Sequence, residues 1–262
     1  MRKPLWICCL VAALLALPAL VAAQNPGGFP LRSICEVRSD SNADCTQDAI
    51  NDSVCVEGVV VVWQEFGVRG PGAIWDPVSG CCISIFDITS APVVPIGNKV
   101  RVCGWTGPFR GLDELVDDPA DGTPDPVVTD LGPATPAPVN DVAAADLMDH
   151  SPSAEALESC LIRLCGTFVD AGTFAGNANY SFLGSDGNTC IVRIDIDTNL
   201  VGAPIPAGPV QVTAILGQFD IAGVCTGYQA LPRTTADLQA VADCATVGVE
   251  EKTWSGVKVL FD

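Results

Sequence analysis

The stretch EGVVVV at residues 57–62 recurs, with its glycine in the same position, as CGTFVD at residues 165–170. A second pair follows at the same spacing, with CISIFD at residues 82–87 and CIVRID at residues 190–195. Self-similar blocks that recur in one order are typical of a duplicated unit. The chain is therefore predicted to contain two tandem copies of one small domain.

The similarity continues to the end of each copy. Phe109 and Phe219 hold equivalent places, and they precede GLDEL at residues 111–115 and GYQAL at residues 227–231. A tandem duplication explains these matches better than chance, because they keep their order along the chain.

Each copy contains five runs rich in β-branched and aromatic residues, separated by Gly, Pro and Asp. The predicted strands span 54–63, 73–75, 82–87, 99–105 and 114–116 in the first copy, and 160–169, 179–183, 189–195, 210–219 and 228–231 in the second. A glycine in a long curved first strand predicts an all-β fold of two tandem OB-like five-stranded β-barrels with short helical lead-ins. An immunoglobulin-like sandwich is the alternative, and it would need about seven strands in each unit.

The segments around the two copies complete the predicted domain organisation. Ser151 and the residues after it predict a short capped helix over residues 154–158 that leads into the second barrel, and residues 46–51 are expected to do the same for the first. The predicted segments are a signal peptide (1–23), an N-terminal cysteine-containing segment (24–51), the first barrel (52–128), a Pro- and Asp-rich linker (129–153), the second barrel (154–238) and a C-terminal tail (239–262).

The first residues predict export. Arg2 and Lys3 precede an apolar run over residues 5–21, which ends in Ala22-Ala23. A charged start, an apolar run and small residues before a cleavage point form a secretory signal peptide. We expect a secreted or cell-surface protein, with the periplasm as the alternative compartment, and no stable membrane insertion after cleavage.

The cysteines predict disulfides, because 11 of the 13 follow residue 23 of an exported chain. Cys81 and Cys82 are expected to take different partners, since neighbours in a strand point to opposite faces. The odd total leaves at least one thiol unpaired within the chain. The expected pairs are Cys35–Cys45, Cys55–Cys103 and Cys160–Cys225, and the second follows from the antiparallel first and fourth strands of an OB barrel.

The second copy resembles a known family. ALESCLIRLCGTFVDAGTFAGNANYSF at residues 156–182 and GYQALPRTTADL at residues 227–238 are similar to the OB-fold modules of bacterial secreted and surface proteins. Modules of this type also occur beside extracellular endonuclease/exonuclease/phosphatase-type nucleases. The resemblance is clearest over residues 140–238, and it implies a fold without implying a catalytic residue.

The charge and the missing catalytic motifs predict a binding or surface structural protein that is not an enzyme. The 31 acidic residues outnumber the 13 basic ones, which disfavours nucleic acid and favours a glycan or an extracellular protein as partner. An accessory nucleic-acid-binding module of an extracellular nuclease system is one alternative. A divergent hydrolase that uses Asp117, Asp121 or His150 is the other, although neither a G-x-S-x-G nor an H-E-x-x-H motif is present. The oligomeric state is left open.

Two sets of candidate site residues follow. OB barrels bind ligands on one face with aromatic platforms, and this predicts ligand contacts from Trp75, Tyr180, Tyr228 and Arg233, with packing in the barrel as the alternative. No cofactor is expected apart from calcium, for which oxygen ligands cluster in the acidic segment that ends the first copy. A solvated acidic linker is the alternative there. The calcium candidates are Asp117, Asp118, Asp121 and Asp125.

Overall fold

The computed structural model describes residues 28–67, 70–88, 91–117, 126–220 and 225–244. The predicted signal peptide and the predicted tail beyond Cys244 lie outside these residues. Within them, none of the helices has the length and apolar character needed to cross a membrane.

The first copy folds into a closed barrel of five strands. They are β1 (Ser53–Val62), β2 (Gly72–Trp75), β3 (Cys82–Ile85), β4 (Asn98–Phe109) and β5 (Leu112–Val116). Strands β1, β2 and β3 are antiparallel, β5 runs parallel to β3, and β4 pairs with both β5 and β1. Pairing of the first strand with the fourth closes the sheet, as in an OB-like barrel.

Two further strands lie in the segment between the barrels. They are β6 (Val127–Pro133), which pairs with β4, and the short β7 (Asn140–Asp141). Part of the predicted linker is therefore held in sheet structure rather than extending freely between the domains.

The second copy repeats the same topology. Its barrel contains β8 (Leu161–Phe168), β9 (Ala178–Gly184), β10 (Thr189–Ile194), β11 (Val210–Gln218) and β12 (Tyr228–Leu231), and the short strand β13 (Leu238–Ala240) pairs antiparallel with β11. Strand β10 runs parallel to β12, and β11 pairs with β8 to close the barrel. The predicted fold of two tandem OB-like barrels is confirmed.

Equivalent glycines allow the first strand of each barrel to bend under its neighbour. A Cβ atom on Gly58 would lie 3.0 Å from the backbone oxygen of Trp75, and one on Gly166 would overlap the backbone oxygen of Leu183. Only glycine leaves space for such a close approach between strands. The glycine conserved between the two repeats therefore has the same packing role in both.

The valine run of β1 is buried on both faces. Val54, Val56 and Val60 point into the core of the first barrel, while Val61 joins a second apolar cluster with Leu161 of the other barrel. That cluster consists of Val61, Val62, Phe66 and Ala73 from the first barrel, and Leu161, Ile215 and Leu231 from the second. A continuous apolar run is expected for a strand with both faces covered, and here it joins the two barrels.

One of the two predicted helical lead-ins is confirmed. Helix α1 (Ile34–Val37) follows a Ser33 cap, and helix α2 (Pro152–Leu157) begins after Ser151, whose hydroxyl accepts a hydrogen bond from the amide of Ala154. The prediction of a helix over residues 46–51 is wrong, because those residues form bends and turns.

Five disulfides cross-link the described residues, and they indicate an oxidising compartment. They are Cys35–Cys81, Cys45–Cys225, Cys55–Cys103, Cys82–Cys160 and Cys165–Cys244. The Cys55–Cys103 prediction is confirmed, since these residues are paired in register across β1 and β4. Cys81 and Cys82 take different partners, as expected.

The predicted pairs Cys35–Cys45 and Cys160–Cys225 are wrong. Cys35 instead joins the first barrel through Cys81, and Cys160 joins it through Cys82. These disulfides join the first barrel to the N-terminal segment and to the second copy. Their partners depend on how these parts pack in the folded chain, which the strand order within one barrel does not predict. Cys190 is the free thiol among the described cysteines, and it is buried.

Candidate functional site

The barrels meet at a small cavity of about 120 Å³, which we call the inter-barrel cleft. It lies beside the turns that join the fourth and fifth strands of each barrel, a region that OB folds use for ligands. Its main lining residues are Phe86, Phe109, Glu114, Gln218, Phe219 and Gln229.

Three phenylalanine rings form one wall of the cleft. The rings of Phe86 and Phe109 stack with their centroids 6.1 Å apart, and Phe109 meets Phe219 edge to face at 6.3 Å. Phe109 is 50% exposed and Phe219 is 45% exposed, although both are large apolar side chains. Half-exposed rings beside a cavity offer apolar surface to a ligand.

The interior of the cleft contains polar groups that lack partners. Glu114 lines the cavity and is only 2% exposed. Gln218 donates its amide to the backbone oxygen of Thr226, but its Oε1 atom is buried and unpaired, as is Oε1 of Gln229. Buried polar atoms without partners are uncommon and costly. Here they belong to residues that line a cavity together with half-exposed aromatic rings, and this combination makes the cavity the candidate functional site.

The protonation state of Glu114 follows from its surroundings. Burial, reinforced by the negative charge of the neighbouring Asp113, raises the pKa of Glu114 to about 8. The side chain is therefore a neutral carboxylic acid at pH 7, and it can donate one hydrogen bond as well as accept others.

The two strand-joining turns hold each other in place at the cleft. Gly111 has a φ of +91°, and a Cβ atom there would lie 2.5 Å from the amide carbon of Gln218. The amide of Asp220 donates a 2.6 Å hydrogen bond to the backbone oxygen of Arg110. Gly111 thus satisfies both a left-handed backbone and a close contact between the barrels.

A buried ionic cluster supports the cleft from behind. The guanidinium of Arg38 donates 3.2 Å hydrogen bonds to Asp113 Oδ2 and to the Cys82 backbone oxygen, and a 2.8 Å bond to the Glu155 backbone oxygen. The amide of Asp113 in turn donates to Glu158 Oε1 at 2.9 Å. One arginine from the N-terminal segment therefore joins both barrels.

The cluster holds more carboxyl groups than cations. Burial raises the pKa of Asp113 to about 6 and raises the pKa of Glu158 well above its usual range, although Arg38 opposes both shifts. Because these groups are desolvated, both lose their proton at a higher pH than exposed carboxyl groups do.

A larger and more open cavity, of about 480 Å³, lies between the N-terminal segment and α2. It is lined by His150, Arg38 and Glu155 and by two disulfides. No side-chain hydrogen bond joins His150 to another residue in the described part of the chain. The polar atoms of Arg38 are already paired, so this cavity lacks the unpaired buried groups of the inter-barrel cleft.

The structure gives each of the four predicted binding residues a contact within the chain. Tyr180 accepts a hydrogen bond from Ala175 within the second barrel, and Tyr228 donates a 2.7 Å bond to Glu155. Trp75 packs against the cluster between the barrels. Each of these side chains has a packing or hydrogen-bonding role, and their binding role stays a prediction.

Arg233, the fourth predicted binding residue, holds the second barrel against the first. Its guanidinium forms two hydrogen bonds to Asp237, of 2.8 and 3.0 Å, and another of 2.9 Å to the backbone oxygen of Val61. All three nitrogen atoms of the Arg233 guanidinium therefore donate hydrogen bonds within the chain.

The predicted calcium segment can be placed only in part. Asp117 is half-buried, whereas Asp118, Asp121 and Asp125 lie outside the described residues. Where the chain is described, no group of three or more His, Cys, Asp or Glu side chains is placed to hold a metal ion.

Sequence reasoning identified Phe109 as part of the repeat but missed Glu114, Gln218 and Gln229. A signal was present for two of them. Glu114 and Gln229 are polar residues inside the short apolar fifth strands LDELV and YQAL, where all neighbouring positions are buried. A polar side chain at such a position requires a partner or a function.

Comparison with known proteins adds no assignment to this geometry, since no protein-family model matches the chain and no curated protein is significantly similar to it.

Proposed function

We propose that this is an exported, non-catalytic protein of two OB-like barrels that binds an extracellular glycan or protein by docking part of it in the inter-barrel cleft. The observation that carries the proposal is that the half-exposed rings of Phe109 and Phe219 line a cavity together with the polar side chains of Gln218 and Gln229. Apolar walls with a few convergent polar groups are typical of ligand sites.

The rigidity of the junction supports a binding role. The Cys82–Cys160 disulfide, the Arg38 contacts and the apolar cluster hold both walls of the cleft before any ligand arrives. A preformed site loses less conformational entropy on binding. Both barrels are then needed for one site, which gives the duplication a functional reason.

Export and extracellular action are part of the proposal. Disulfides persist in oxidising compartments, and the five found here agree with the signal peptide predicted at residues 1–23. The net charge of −18 favours a neutral or basic ligand over a polyanion.

The test is binding of the oxidised, exported chain to glycan and extracellular-protein arrays and to single-stranded DNA. We expect binding to glycan or protein that falls at least tenfold in the double variant Phe109→Ala/Phe219→Ala. Leu183→Ala, which trims an exposed apolar side chain of the second barrel, serves as the matched control and should bind normally.

Three results would contradict the proposal. Salt-sensitive retention on single-stranded DNA would favour the nucleic-acid alternative. Hydrolysis of a bound ligand that Glu114→Gln abolishes would make the protein an enzyme. Ligand binding that is unchanged in the Phe109→Ala/Phe219→Ala variant would place the site elsewhere.

A further inference from the structure

Two disulfides line the open cavity between the N-terminal segment and α2. We propose that one of them, Cys45–Cys225, is a thiol-exchange site, at which an external dithiol reduces the bond and releases the loop of residues 39–48 from the second barrel while the buried disulfides stay intact. The dithiol is either a small molecule or a protein with two neighbouring thiols. This chemistry is separate from ligand binding in the inter-barrel cleft.

The five disulfides differ in how easily a reagent reaches them. Two have both cysteines half-buried and lining the same cavity of about 480 Å³, namely Cys35–Cys81 and Cys45–Cys225. In contrast, all four cysteines of Cys55–Cys103 and Cys82–Cys160 are at most 2% exposed, and Cys165 of the fifth disulfide is 7% exposed. Thiol–disulfide exchange requires a thiolate to reach a sulfur atom, so the two cavity disulfides are the accessible ones.

The loop that carries Cys45 is held together by its own hydrogen bonds. The carboxylate of Asp40 accepts a 2.7 Å bond from the amide of Cys45, and that of Asp48 accepts bonds of 3.0 to 3.5 Å from the two serines at the start of the loop. Within the described part of the chain, no hydrogen bond or ion pair joins residues 39–48 to the second barrel. Cutting the disulfide to Cys225 therefore frees the loop from that barrel while its internal bonds remain.

The other disulfide of the cavity, Cys35–Cys81, should re-form after reduction. Cys35 lies in α1, and both aliphatic residues of this helix are fully buried in the core of the first barrel. This packing holds the two thiols side by side, so their effective concentration stays high. Cys45 instead follows four exposed residues, 41–44. Reduction should therefore accumulate at Cys45–Cys225.

The exchange follows ordinary thiol chemistry. A thiolate of the dithiol attacks one sulfur of Cys45–Cys225, which forms a mixed disulfide, and the other cysteine leaves as a thiolate that takes a proton from water. The second thiol of the reductant then attacks the mixed disulfide. Two electrons and two protons pass to the cysteine pair, which becomes two thiols, and the reductant becomes a disulfide.

Release of the loop should affect the junction of the barrels through Arg38. This residue directly precedes the loop, lines the same cavity, and donates hydrogen bonds to Asp113 of the first barrel and to the backbone oxygens of Glu155 and Glu158. The Arg38 side chain is only 6% exposed. Because loop residues form one wall of the cavity, their release lets water compete for these bonds. The amide of Asp113, which donates to Glu158 Oε1, reports on that change.

The experiment measures the order of reduction in the oxidised, exported chain. The protein is incubated with dithiothreitol, thiols are trapped with excess N-ethylmaleimide at successive times, and labelled peptides are identified by mass spectrometry. We expect Cys45 and Cys225 to be labelled at least about tenfold faster than the cysteines of the two buried disulfides. Reduced thioredoxin, a protein dithiol, is the second reductant. The same order with both supports the site for either source, and reduction by dithiothreitol alone supports it for small dithiols.

A variant reproduces the released loop without a reductant. Cys45→Ala/Cys225→Ala should fold, as checked by circular dichroism, and its Asp113 amide should exchange with solvent at least about threefold faster than in the wild type. Cys165→Ala/Cys244→Ala is the control, because it removes a disulfide within the second copy and its C-terminal extension. It should leave that rate within about twofold. The order of reduction in the wild type tests the site even if the first variant does not fold.

Three results would overturn the proposal. Equal reduction rates at all five disulfides would mean that the dithiol acts on the unfolded chain. Earlier labelling of Cys35–Cys81 or Cys165–Cys244 would place the exchange site elsewhere. Unchanged exchange of the Asp113 amide in a folded Cys45→Ala/Cys225→Ala variant would remove the link to the junction. None of these measurements involves a ligand of the inter-barrel cleft, so the proposed function stands or fails separately.

Discussion

Phe109 and Phe219, which occupy equivalent positions in the two repeats, meet edge to face with 6.3 Å between their ring centroids. Phe109 is the last residue of β4, and Phe219 directly follows the last residue of β11. The two barrels therefore contact each other at the ends of their fourth strands. The duplicated position has therefore become a contact between the copies. The inter-barrel cleft lies beside this contact, so its properties depend on the junction as a whole.

The ring contact predicts a measurable coupling between Phe109 and Phe219. A double-mutant cycle with alanine at each position should give a coupling free energy of about 1 kcal/mol, since an edge-to-face pair contributes roughly 0.5 to 1.5 kcal/mol. Urea unfolding of the four proteins measures it. A parallel cycle of Phe109 with Leu183 should be additive, and equal coupling in both cycles would show that the ring contact contributes nothing specific.

The Cys82–Cys160 disulfide should hold the two barrels together at their junction as well as stabilise the folded protein. Replacing both cysteines with alanine should lower the free energy of unfolding by about 4 kcal/mol and should speed amide hydrogen exchange of Asp113, whose N–H is bonded to Glu158 across the junction.

The Cys165–Cys244 disulfide is a matched control for this test. It spans 79 residues against 78 for Cys82–Cys160 but lies within the second copy and its C-terminal extension. Its removal should cost a similar free energy and leave exchange at Asp113 unchanged. Equally fast exchange in both variants would refute a specific role of Cys82–Cys160 at the junction.

Glu114 should make the protein less stable as the pH rises. Its pKa is about 8 in the folded protein and 4.5 as the ordinary value, so the unfolded chain ionises first and stability falls from pH 4.5 to pH 8, then stays level. Glu114→Gln should match the wild type at pH 4 and exceed its free energy of unfolding by roughly 2 to 5 kcal/mol at pH 8.

Urea unfolding at pH 4, 6 and 8 checks this dependence. Asp197→Asn, at an exposed position, should show no comparable gain between pH 4 and pH 8. If the free energy of unfolding of Glu114→Gln changed with pH in the same way as that of the wild type, the Glu114 carboxyl group would have to contact solvent or a hydrogen-bond partner in solution.

Arg38 should be essential because it is the cation of the buried cluster. Arg38→Met leaves Asp113 and Glu158 without their counter-charge and should lower the free energy of unfolding at pH 7.5 by about 3 to 5 kcal/mol. The loss should shrink at pH 4, because the pKa of Asp113 is raised to about 6 and that of Glu158 is also raised, so both are then protonated.

Arg32→Met provides the control for Arg38. Its ion pair with Asp52 is exposed on both sides, and exposed pairs contribute less than about 1 kcal/mol. Guanidinium chloride screens charges, so urea is the better denaturant for the comparison. A loss at Arg38 that is the same at pH 4 and pH 7.5 would assign the residue a packing role instead of an electrostatic one.

The Cys190 thiol should not react with thiol reagents in the folded protein. Burial raises the pKa of its thiol to about 12, and thiols react as thiolates. Ellman's reagent at pH 8 should detect no thiol in the native chain from residue 24 onward, and one thiol per chain after unfolding without reductant. A fast-reacting thiol in the native protein would contradict this burial.

Local pattern determined the folding units. The strand boundaries, the Ser151 cap and the Cys55–Cys103 pair were predictable, because alternation, β-branched runs and capping act over a few residues and because the duplication checks one copy against the other. The free Cys190 shows the limit. It matches Cys82 in the repeat, but Cys82 faces the other barrel and Cys190 lies in a barrel core.

Tertiary packing decided the rest. The sequence by itself predicted the strands of two OB-like barrels, which are properties of short segments. Arg38 meets Asp113 and Glu158 from 75 and 120 residues away, and Gln218 reaches Gly111 from the other barrel. Such contacts depend on how two closed surfaces fit together, and no local pattern encodes that fit. The candidate site therefore became visible only in the folded chain, where docking of the barrels buries polar groups that each barrel alone would expose to water.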